Sequence, residues 1–121
     1  MIKHQFLKDE GILIITPESS LTVSDFDTIS TIIDPYIHEN GKLSGLVIHA
    51  GSFPGWQNFA SMLAHIKFVK NHHVLINKVA AVADKGIVAL LPAIADHFVR
   101  AEVQHFDFDD LDSAIEWIRQ E

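Results

Sequence analysis

A chain of 121 residues falls in the range where one hydrophobic core is expected and where folding buries roughly two-thirds of the unfolded surface. Apolar residues make up 48% and charged residues 21%, which is ordinary globular usage and leaves neither a disordered nor a fibrous reading. Sixteen acidic against nine basic side chains give a formal charge of −7, which repels phosphate backbones, so nucleic acid is not an expected partner; the absence of cysteine excludes disulfides and thiolate chemistry.

The start, Met1-Ile2-Lys3-His4-Gln5-Phe6, lacks the apolar region and small-residue cleavage site of a signal peptide, and no later apolar run approaches the length of a membrane span. A single domain over 1–121, cytoplasmic and without stable membrane insertion, is the expectation. Ile2 to Leu7 and Ile12 to Ile15 are apolar-rich stretches separated by Asp9-Glu10-Gly11, the pattern of a β-hairpin. Ile12-Leu13-Ile14-Ile15 is continuously apolar, which predicts a strand covered on both faces. Thr22 and Asp25 stand at capping-box spacing, and Phe26, Ile29, Ile32, Ile33, Tyr36 and Ile37 recur at helical intervals. They predict a helix from about Val23 to His38, kinked at Pro35 and ended by Asn40-Gly41.

Leu46-Val47-Ile48 reads as a buried strand, and a loop from Gly51 to Gly55 leads into a helix carried by Trp56, Phe59, Met62, Leu63, Ile66 and Val69. Val79 to Ala83 is a fourth strand, followed by a helical pattern from Ile87 to Phe98 that Pro92 bends or splits. Glu102 to Phe108 is the last strand, with Asp109 or Asp110 capping a final helix whose Leu111, Ala114, Ile115 and Ile118 face the core. The order ββαβαβαβα predicts an α/β domain: a mostly parallel five-stranded sheet with an antiparallel N-terminal strand and four main helices. The strand order stays open. Ligands of such sheets bind outside the carboxyl ends of the strands, here Thr16 to Ser20, His49 to Trp56, Asp84 to Gly86 and Phe108 to Asp110.

Phe53-Pro54-Gly55-Trp56 after a buried strand, the strand Lys78 to Lys85 and the run Arg100 to Asp107 together resemble the SpoIIAA-like proteins. These are small bacterial relatives of the STAS domain of anti-sigma-factor antagonists and stressosome components. The resemblance covers nearly the whole chain. It implies a non-enzymatic protein-interaction or signalling module, and a fold shared with CRAL-TRIO domains, which enclose a nonpolar ligand. STAS antagonists carry an Asp-Ser-Ser/Thr-Gly type loop whose phosphorylated hydroxyl controls partner binding. The corresponding stretch here, His49 to Gly55, offers only Ser52, without the preceding Asp. A phosphate on Ser52 at a helix N-terminus would be stabilised by free amides, which makes Ser52 a candidate phosphosite, but with the defining motif absent the favoured expectation is a turn serine that bonds its own backbone.

The eight histidines do not form a metal pattern: His72 and His73 are adjacent, about 100° apart on a helix, and no HxH, HxxxH or HExxH occurs. No nucleophile elbow or Gly-rich phosphate cradle is present, so no catalytic residue, metal or cofactor is assigned. The sharper feature is the apolar group Phe53, Trp56, Phe59 and Met62 beside the ligand end of the sheet. It suits core packing, a contact surface for a protein partner or a second copy in a homodimer, or the wall of a pocket for a nonpolar small molecule. Two functions remain open: an interaction or signalling module, and a carrier or sensor of a lipid-like ligand.

Overall fold

A computed structural model describes residues 2–17, 23–50, 76–84, 92 and 101–120. They form strands β1 (Ile2–Leu7), β2 (Ile12–Pro17), β3 (Leu43–Ala50), β4 (Ile76–Ala83) and β5 (Glu102–Phe106), with helices α1 (Val23–Asn40) and α2 (Leu111–Arg119). The helices expected from Trp56 to Lys70 and from Ile87 to Phe98 lie, apart from residue 92, outside the described residues. The five strands stand side by side in chain order. β1 runs antiparallel to β2, from Ile2↔Pro17 to Leu7↔Ile12, and the other three pairings are parallel.

The hairpin closes at Gly11, whose φ of +68° is strained for any side-chain-bearing residue. Its amide donates to the Leu7 carbonyl at 2.9 Å, and its own carbonyl accepts from the amides of Ser44 at 2.9 Å and Gly45 at 3.2 Å. The turn is thereby tied to the start of β3. This pairing helps explain why β3 begins at Leu43, earlier than the apolar run Leu46 to Ile48 suggests: Leu43 is wholly buried and pairs with Ile76.

The apolar strands divide their side chains between two helices, as their unbroken runs require. Leu13, Ile15, Leu46, Ile48, Val79 and Ala81 cluster with Ile29, Ile33 and Ile37 of α1. Ile12, Ile14, Val47, Ala80 and Val82 cluster with Ala114 and Ile118 of α2, joined by half-buried Leu111 and Ile115. The sheet is therefore covered on both faces.

Helix α1 runs through Pro35, the position at which the sequence predicts a kink. Pro35 is exposed, so the amide hydrogen it lacks costs less than it would in the core. Gly41 ends the helix, its amide donating to the Ile37 carbonyl at 2.7 Å.

Helix α2 is fastened at its last turn. Lys78 of β4 extends its ammonium to the carbonyls of Trp117 at 2.8 Å and Gln120 at 2.5 Å, 5.0 Å from the centre of the Trp117 ring. A cation there bonds to carbonyls at the end of the helix and complements its dipole. Arg119 reaches back to Glu10 at 2.7 Å. That hydrogen bond, followed by attraction to Glu10 and contact with Glu116, raises the guanidinium's pKa against an opposing desolvation, so Arg119 keeps its charge.

Candidate functional site

Parallel strands bring their carboxyl ends to one edge, where β3 stops at Ala50, β4 at Ala83 and β5 at Phe106. The last strand is shorter than the run to Phe108 suggests. Beyond Phe106 the chain turns, with the Asp110 amide donating to the Asp107 carbonyl at 2.9 Å, and this turn lifts Phe108 off the sheet. Asp110 occupies the N-cap position of α2, but its side chain makes no capping hydrogen bond. Its φ of −113° and ψ of 40° lie outside the extended geometry of a capping residue. The expected carboxylate cap is absent at Asp110, whereas Asp112 in the first turn still favours the helix dipole.

At this edge His49 and Phe108, distant in sequence, are stacked with ring centroids 4.5 Å apart and planes 19° apart. The His49 Nε2 also lies 3.1 Å from the Phe108 carbonyl oxygen. His105 of β5 places its Nε2 2.9 Å from the Ala83 carbonyl, one residue past the last β4–β5 pair, Val82↔Phe106. A carbonyl oxygen only accepts, so in both contacts Nε2 carries the proton and donates. Each imidazole ties a strand end to a neighbouring segment. Long-range nitrogen–proton NMR correlations are expected to show a proton on Nε2 of both His49 and His105; a ring protonated on Nδ1 alone would break this geometry.

Phe108 is held by its stack yet stays 38% exposed, and among the described residues it is the only exposed large apolar side chain. Asp107, Asp109 and Asp110, its neighbours in the chain, are exposed as well. Among the described residues no three His, Asp or Glu side chains are gathered as a metal site would need. What the arrangement offers is a supported aromatic surface rimmed by carboxylates, suited to contact. At the opposite, amino edge, a groove of about 610 Å³ is lined by residues including Glu10, Lys78 and Arg119. Its lysine and arginine are already engaged by the end of α2 and by Glu10.

The residues singled out from the sequence, Ser52, Phe53, Trp56, Phe59 and Met62, lie outside the described residues; the chain enters their segment from Ala50, next to His49. The sequence reading placed a site at His49 to Trp56 and Phe108 to Asp110 but did not join His49 to Phe108. The available signal was that both stand at a strand's carboxyl end. Among the described residues no helix is long and apolar enough to cross a membrane.

One family model, SpoIIAA-like, matches residues 12–119. No curated protein and no solved structure gave a match.

Proposed function

The chain belongs to the SpoIIAA-like family, and from that premise we propose that it is a non-enzymatic, STAS-type interaction or signalling module that meets a protein partner, or a second copy, at the carboxyl edge of its sheet. The observation that carries this reading is Phe108, exposed and held in place by the His49 ring. A large aromatic side chain kept in water contributes most where a partner removes it from water, and prior support by a neighbour lowers the ordering cost of binding. The sequence predicts a loop from Gly51 to Gly55 directly after β3, and this reading assigns Phe53 and Trp56 to the same contact surface. Ser52 is assigned no switch, because the Asp-Ser pattern of phosphorylated relatives is missing.

Affinity capture from the source cells, followed by direct binding to the captured protein, tests the proposal. Phe108→Ala is expected to weaken that binding by about 2 kcal/mol while leaving the unfolding midpoint nearly unchanged. Trp56→Ala should act in the same direction. Unaltered binding by both variants would remove the edge from consideration. Native mass spectrometry of the purified chain provides the contrast, since a co-purifying nonpolar compound would instead favour a ligand carrier.

A further inference from the structure

The described charges are sorted between the two edges of the sheet. Among the described residues Lys8 lies in the hairpin turn, Lys42 just before β3, Lys78 early in β4 and Arg119 on Glu10, all toward the amino edge of the parallel strands. Lys3 pairs in register with Thr16 on β1, two strands away from His49, and already has a partner within the fold. The carboxyl edge is acidic. Asp107 and Asp109 flank Phe108, and the bond from the Asp110 amide to the Asp107 carbonyl folds these residues into one tight turn. Among the described residues none of these three carboxylates has a hydrogen bond or an ion pair, and Asp112 follows in the first turn of α2. The sequence that leaves the other parallel strands adds no compensating charge. Gly51 to Ile66 after β3 holds no Lys, Arg, Asp or Glu, Asp84-Lys85 after β4 carries one charge of each sign, and Glu18 follows β2. The amino end of α2 offsets only about half an elementary charge.

We infer that the partner received at this edge presents a basic segment, with an arginine or lysine against the Phe108 ring and its neighbours paired to Asp107, Asp109 and Asp110. The inference rests on the reading of this edge as a contact surface and names the chemistry that fits it. Phe108 has one face on the His49 ring and is 38% exposed, so the part left in water lies away from the stack. A guanidinium laid there gains the attraction of a cation for an aromatic ring, and its fork of donors reaches the flanking carboxylates. An apolar partner covering Phe108 would strip water from those carboxylates and return no hydrogen bond, a cost that opposes the aromatic contact. A second copy meeting edge to edge sets the same patch against itself, Asp opposite Asp. The carboxylates do not converge on an ion instead, since among the described residues no three His, Asp or Glu side chains are gathered. Before contact, the formal charge of −7 draws a basic partner in and speeds the encounter.

The test is an amide NMR titration of the full chain with a short blocked peptide of alternating arginine and leucine, compared with its glutamate–leucine counterpart. The arginine peptide is expected to shift the Phe106 to Asp112 amides and the His49 and Phe108 ring signals saturably, and to bind about tenfold or more tightly than the glutamate peptide. Asp107→Asn combined with Asp109→Asn should weaken it about fivefold, and Phe108→Ala by a similar factor, with the other amide signals reporting an intact fold. Equal binding of the two peptides, or no saturable change between Phe106 and Asp112, overturns the inference. So does a loss with the aspartate changes that Phe108→Ala does not share, which would mean unspecific attraction of cations only. The captured partner separates this inference from the reading of the edge. If Phe108→Ala weakens its binding and the paired aspartate changes do not, the edge is a contact surface and its partner is not basic; if neither does, the edge itself fails.

Discussion

Ile33→Ala is expected to cost about 2–5 kcal/mol of folding stability, while Ile32→Ala, one residue away on the same helix, costs clearly less. The two changes remove the same atoms and gain the same helix propensity, so burial decides between them. Ile33 is wholly buried, in one cluster with Ile29 and Ile37 of α1 and with Leu13, Ile15, Leu46 and Ile48 of the sheet. Ile32 is half-buried and lines a groove beside Phe6. Truncating Ile33 leaves a cavity beneath a helix whose neighbours are fixed by paired strands, so collapse around it is limited. Domains of this size are stabilised by about 5–15 kcal/mol in total, which makes the loss a large share. Urea unfolding of both variants measures it. Equal losses would mean that α1 does not seat its Ile33 face on the sheet.

Gly45→Ala is expected to destabilise by about 1–3 kcal/mol, against the usual sign of the substitution. In a strand, replacing glycine by alanine ordinarily helps by about 0.5–1 kcal/mol, because the unfolded chain has less freedom to lose. Here a Cβ on Gly45 would lie 2.5 Å from the Ile118 Cγ2, 2.6 Å from its Cδ1 and 2.8 Å from its Cγ1. Ile118 is only 5% exposed, and its branched side chain cannot swing clear without moving the last turn of α2. That turn is also where Lys78 and Glu10 hold the helix. Ile118→Ala should therefore cost less in the Gly45→Ala background than alone, a coupling that a double-mutant cycle reads directly. A stabilised Gly45→Ala protein would show that α2 rides higher above the sheet.

The sequence by itself determined the features that depend on neighbours a few residues apart. Ile12 to Ile15 has no alternation, so β2 had to be covered on both faces, and it is, by α1 and α2. The helical recurrence of Ile29, Ile33 and Ile37 announced the face that α1 buries. The hairpin followed from Gly11, and alternating strands and helices implied the parallel pairings. Tertiary structure alone decided the strand order, because periodicity says which face of a strand is apolar and not which strand lies beside it. It decided the ends of β3 and β5, where pairing of Leu43 with Ile76 and the Asp107 to Asp110 turn outweigh the length of the apolar run. Lys78 reads in sequence as a polar break at the start of a buried strand. Only the position of the end of α2 over β4 gives its ammonium two carbonyls to satisfy. The candidate site divides in the same way: the rule for parallel sheets places it at the carboxyl edge, but the stack of His49 on Phe108 joins residues far apart in sequence. Such a contact depends on how β3, β5 and the turn before α2 are brought together in space, which no local spacing encodes.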